Sequence, residues 1–153
     1  MLPSTTSRVE NNTSKQANYE IQKKTMQSIV YYSENPNEID QRLSELDHEW
    51  DIERTLEANA ATISLVGISL GVLVNKRWLA LPFAVSGFLL QHAIQGWCPP
   101  VVIFRNRGIR TSAEIDHERY ALKALRGDFE NLDKVGEGSH KERAKKALDI
   151  VKK

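Results

Sequence analysis

The chain has 153 residues, with 21 Lys and Arg against 20 Asp and Glu, and a mean hydropathy of −0.45. That length suits one domain, and a net charge of +1 gives no global basis for binding nucleic acid. One cysteine excludes an internal disulfide and a cysteine-based zinc site. His48, His92, His117 and His140 are too dispersed to read as a ligand set, so no metal and no cofactor is expected.

Residues 1–18 are polar and rich in Ser, Thr and Asn, and are expected to form a disordered tail. They hold no apolar core of a secretory leader, so the Asn-x-Ser/Thr triplets at Asn11 and Asn12 are not expected to be glycosylated. A helical arm is expected over 19–57. Its first part, Tyr19 to Tyr32, is loosely periodic, and Pro36 breaks it. Asn37 can cap a second helix, in which Ile39, Leu43, Leu46 and Trp50 recur at spacings of four, three and four.

The charge then vanishes. No Lys, Arg, Asp or Glu occurs from Ala58 to Asn75, nor from Trp78 to Phe104. The first run, of roughly 18 residues at about 1.5 Å each, covers about 27 Å, enough to cross a bilayer core. Lys76 and Arg77 make a short turn, and the second run begins and ends in tryptophan, a residue that favours the membrane–water interface. The pattern predicts an all-α fold built on a membrane helical hairpin over 58–104, with transmembrane helices over about 58–75 and 78–97. Amphipathic cytoplasmic helices are expected on both sides of it.

Small residues let helices approach in lipid. Ala60, Ser64, Gly67 and Gly71 form such a seam on the first span, and Ala80, Ala84 and Gly87 one on the second. The two seams are expected to meet; dimerisation is the competing use of the first. Basic residues set orientation. Arg42, Arg54, Arg105, Arg107, Arg110, Arg119 and Lys123 flank the hairpin against Lys76 and Arg77 at its turn, so both termini are expected in the cytoplasm.

At the end of the second span, Gln91, His92 and Gln95 form a polar cluster, either an interfacial belt or a ligand or proton site. Gly96 loosens the helix, and Pro99 and Pro100 push Cys98 towards extended backbone. The following Val-Val-Ile-Phe is too short to cross again and is expected along the interface or under the hairpin. Arg105, Arg107 and Arg110 could meet anionic lipid headgroups. Cys98 is a candidate functional thiol without a visible base, since His92 lies six residues away rather than one helical turn.

These residues, "ERTLEANAATISLVGISLG", Trp78, "LLQHAIQGWCPP" and "FRNRGIRTSAEIDHERYALKALRGDF", resemble the YgaP-like transmembrane domain family over about Glu49 to Phe129. Members are small bacterial inner-membrane domains, largely of unknown function. The resemblance implies the hairpin, cytoplasmic termini and self-association, and supplies no catalytic residue. The family's namesake carries a fused rhodanese domain that this sequence lacks, so sulfurtransferase activity is not carried over.

In the tail, 105–153, Thr111 and Glu114 have capping-box spacing, and Ile115, Leu122, Leu125 and Phe129 make a stripe closed by Gly127. The Arg-Gly-Asp at Arg126 is read as coincidence. A linker over 132–140 precedes a last helix capped by Ser139 and Glu142. Its apolar face is Ala144, Ala147, Leu148 and Val151, and lysines line the rest; it reads either as a solvated tail or as a helix lying on an anionic membrane. The function expected is a non-enzymatic membrane or assembly module of the bacterial inner membrane, with membrane lipid and further copies of the chain as partners. The alternatives are a sulfur-related thiol carrier or small-solute pathway using Cys98, and a soluble helical interaction module.

Overall fold

A computed structural model of the chain describes residues 3–130 and 139–152, with side chains up to 149. All regular structure among the described residues is helical: α1 (Arg8–Asn11), α2 (Lys15–Glu34), α3 (Ile39–His48), α4 (Ile52–Leu73), α5 (Ala80–Gln95), α6 (Pro99–Asn106), α7 (Ser112–Arg126) and α8 (His140–Lys152). Most of the linker expected over 132–140, and the Val151 side chain, lie outside the described residues. The chain divides into two compact units, residues 1–24 with 49–115, and 25–48 with 116–153. These cut across the expected boundaries at 18, 57 and 104.

The first unit is built on a hairpin of α4 and α5. Asp51 caps α4 by accepting the Arg54 N–H at 2.8 Å. The helix ends at Leu73, and the Asn75 side chain accepts the Arg77 N–H at 2.9 Å, capping the tight turn Lys76–Leu79. Pro82 falls in the first turn of α5, where a missing N–H leaves no bond unmade. Gly96 ends α5 in the left-handed region, φ +77. Cys98 is extended, as expected, and Pro99 and Pro100 then open a new helix, α6, rather than only closing the old one. Within it Val101 is buried while Val102 and Ile103 are exposed, so α6 packs under the hairpin by one face.

Three expectations change here. The segment 1–18, expected without order, holds α1 and the start of α2. Val9 is 3% exposed in a core with Ile52, Leu56, Cys98 and Val101. Local composition could not show that this one valine has an apolar niche waiting elsewhere in the chain. The expected first span starts inside a longer helix, while α5 has only 16 residues, so one helical run among the described residues is long and apolar enough to cross a membrane. The seams also fail to meet. Gly67 and Gly71 are buried, whereas Ala80, Ala84 and Gly87 are exposed on the far side of α5. A Cβ on Gly67 would lie 2.6 Å from Pro82 Cδ, and one on Gly71 2.5 Å from Leu79 Cδ2. Large side chains fill the glycine hollows; two small surfaces facing each other would leave a void.

In the second unit α2, α3 and α7 meet. Ile39, Leu43, Leu46 and Leu122 are buried, as their spacing predicted, while Trp50 lies beyond α3, half-exposed under the Arg54 guanidinium. Asn37 lies inside a short turn, Pro36–Glu38, rather than capping α3. The buried Glu118 carboxylate accepts from Ser28 Oγ at 2.6 Å and from Arg42 Nε at 2.9 Å, tying the three helices at one point. Leu125 and Leu148 are exposed. Gly127 follows α7 as expected, and Arg126 of the Arg-Gly-Asp stretch pairs with Asp128 and Asp40.

Candidate functional site

The features that could act lie at the base of the hairpin, where the start of α4 faces the end of α5. Glu53, on the first turn of α4, accepts from His92 Nε2 at 2.8 Å through one oxygen and from Arg8 at 2.8 Å through the other. Asn12 donates to the Gln95 carbonyl at 2.9 Å, and the Arg8 backbone lies so close to Gly96 that a Cβ there would be 2.6 Å from it. The N-terminal segment thus straps across the open end of the hairpin. The His92 hydrogen bond holds the Glu53 carboxyl below the usual range; burial opposes this, and Arg8 adds to it. His92 is 1% exposed, and its Nδ1 makes no hydrogen bond among the described residues.

Beside this lies a second polar centre. Arg105 is 1% exposed and uses all five of its N–H donors. Two go to Glu114 at 2.6 and 2.7 Å, and the others to Asn18 Oδ1 at 2.8 Å, the Ile109 carbonyl at 3.0 Å and Thr13 Oγ1 at 3.1 Å. Glu114 also takes the Thr111 N–H at 2.7 Å, completing the capping box expected from sequence. Burial pushes the Glu114 carboxyl up, but Arg105 and Thr111 outweigh it and hold it low. Arg110, 7% exposed, grips Glu49 through two bonds of 2.8 and 2.6 Å.

The expected headgroup contacts are thereby corrected for two of three residues. Arg105 and Arg110 are internal ion-pair partners, and only Arg107 is exposed. A buried guanidinium stays charged, so its burial is costly unless a carboxylate pairs with it, and here Glu114 and Glu49 serve. The polar cluster is also split: His92 turns inward to Glu53, Gln91 is half-buried, and Gln95 is exposed. Sequence reading missed Arg8, Glu49 and Glu53. Arg8 lay in the supposed tail, and the partners of all three are far away in the chain. The single local signal was the capping-box glutamate, Glu114.

Cys98 is 2% exposed. Burial pushes its thiol up, the nearby Val101 N–H acts against this, and the Glu53 charge adds to the rise. Such a thiol is a poor nucleophile. Cys98 forms part of the wall of an apolar cavity of about 130 Å³ between α4, α5 and α6, with Leu56, Ile63, Val85, Phe88 and Phe104. No group of three or more His, Cys, Asp and Glu among the described residues is placed to hold a metal ion.

No protein-family model, curated relative or solved structure matches the chain.

Proposed function

We propose that the chain is an integral membrane protein whose α4–α5 hairpin crosses the bilayer twice, serving as a non-enzymatic membrane or assembly module. The observation that carries this reading is the exposure of α4. Its run contains the 18-residue apolar window long enough to span, and only 17% of that window is buried. A core helix of a soluble protein would be mostly covered. Here Leu65, Val72, Leu73, Phe83 and Leu90 stand 63% exposed or more. In water each large side chain left uncovered forgoes about 1.5–3 kcal/mol, whereas acyl chains cover them without loss.

Bonds across the base of the hairpin support a second crossing. His92 bonds Glu53, Asn12 bonds the Gln95 carbonyl, and Arg105 bonds Thr13. Each joins the chain before or at the start of α4 to the chain at the end of α5 or after it. If α4 crosses alone, these partners stand on opposite faces of the bilayer. At about 24 Å, α5 is short for a core of about 30 Å. The Lys76–Leu79 turn and Trp97 extend it, and local thinning covers the rest.

The resemblance to the YgaP-like family, the inner-membrane location, cytoplasmic termini and self-association belong to the same proposal. The exposed face of Ala80, Ala84 and Gly87 offers a second copy a smooth surface. Against a thiol carrier stands the burial of Cys98 without a base.

Alkaline carbonate washing of membranes containing the chain tests the reading. The chain is expected to stay in the pellet; release into the supernatant refutes it. With Cys98→Ala in place, Asn75→Cys is expected to react with a membrane-impermeant maleimide only from the non-cytoplasmic side. Labelling from the cytoplasmic side reverses the orientation.

A further inference from the structure

We infer that the cavity between α4, α5 and α6 takes a segment of a lipid acyl chain from the surrounding bilayer. The inference rests on the membrane reading above. Near the turn the two helices touch, because Pro82 and Leu79 fill the hollows at Gly67 and Gly71. Further down, Ala60 is too small to close the gap to Val85 and Phe88, and α6 enters from below with Pro100 and Phe104. The result is a space of about 130 Å³. An apolar cavity of about 150 Å³ stays dry and holds a molecule the size of benzene.

The walls choose the occupant. Among the described residues, Asn59 and Cys98 are the only polar ones around the space, and the Asn59 amide already donates one N–H to the Thr55 carbonyl at 2.7 Å. A polar ligand would lose its water and gain at most the remaining donor and oxygen of one amide in return. The mouth chooses the source. Ile63 and Phe88 line the cavity and are also 42% and 45% exposed, within the same apolar belt as Leu65 and Leu90. The cavity therefore opens among the hydrocarbon chains, and a methylene segment entering it restores the dispersion contacts that a void would forfeit.

The test is photo-crosslinking of the full chain reconstituted in phosphatidylcholine vesicles containing a trace of phosphatidylcholine with a mid-chain diazirine. Leu56 and Cys98 line the cavity but are 4% and 2% exposed, so only a chain inside the cavity reaches them. Adducts are expected on Leu56 or Cys98 as well as on the belt residues Val72 and Leu73. Ala60→Phe, which fills the space, is expected to lower the Leu56 and Cys98 adducts several-fold and leave those on Val72 and Leu73 unchanged. Val85→Phe fills it from the opposite wall should the first variant misfold. Belt adducts without any on Leu56 or Cys98 in the unsubstituted chain overturn the inference and leave the membrane reading standing. Cavity adducts that persist in a folded filled variant overturn it too. Loss of all adducts, together with release by carbonate, removes the membrane reading and this inference with it.

Discussion

Glu53 holds two donors at once, the His92 ring and the Arg8 guanidinium, and its carboxyl is kept below the usual range by them. A carboxyl lowered in the folded state stabilises that state most where it is ionised in both states. That contribution is full above the ordinary glutamate value of about 4.3, and is lost as pH falls through the lower folded value. Thermal melting of the chain in detergent at pH 7 and at stepwise lower pH should show it. Glu53→Gln is expected to melt lower at pH 7 and to lose less on acidification than the unsubstituted chain, with Glu114 supplying the slope that remains. An unchanged slope would show that Glu53 gives no pH-dependent support. At this scale the sequence was partly legible. The Thr111–Glu114 and Ser139–Glu142 boxes could be read because both members lie within one turn. Arg105 and Arg110 read as lipid contacts because neither carboxylate lies within one turn: Glu114 is 9 residues from Arg105, and Glu49 is 61 from Arg110.

The packing of α4 on α5 shows what a small-residue pattern does and does not say. It marked Gly67 and Gly71 correctly as a place of close approach, because a seam of small residues on one face has a direct steric meaning. It gave the wrong face of α5, because such a seam does not reveal whether its partner is small or large. Here the partners are Leu79, Leu81 and Pro82. Gly67→Leu is therefore expected to push the helices apart and cost about 1–3 kcal/mol. Gly87→Ala, where a Cβ meets nothing within 4 Å, should be neutral or slightly stabilising. Denaturant titration followed by helical circular dichroism compares the two. Equal effects would mean that the hollow at Gly67 does not hold the hairpin together.

Across the first unit, the segment read as a loose tail serves as a strap. Val9 shares its core with Cys98, and Arg8 and Asn12 reach the two ends of the hairpin base. Removing residues 1–13 is expected to expose the thiol. Its reaction with a small disulfide reagent, slow in the full chain because the sulfur is covered, should become at least several-fold faster in the truncated chain, with α4 and α5 still helical. No change in rate would show that the strap does not cover Cys98. The all-helical class, the turn at Lys76 and Arg77 and the closure of α5 at Gly96 were legible, because charge gaps and glycine act locally. The strap was not, because its signal is one valine and one arginine in a polar segment, given meaning only by residues more than forty positions away.

The five-fold satisfied Arg105 also bears on the order of synthesis. Its bonds to Thr13 and Asn18 span 92 and 87 residues, and that to Glu114 only nine. Glu114 can engage Arg105 soon after it leaves the ribosome. Thr13 and Asn18, made long before, must wait while the whole hairpin emerges between them and their partner. Closing a loop of that length carries an entropy cost that local pairing avoids. The guanidinium thus works as a clasp that closes late, fastening Thr13 and Asn18 to a residue made 92 and 87 positions after them, once the apolar middle has been made.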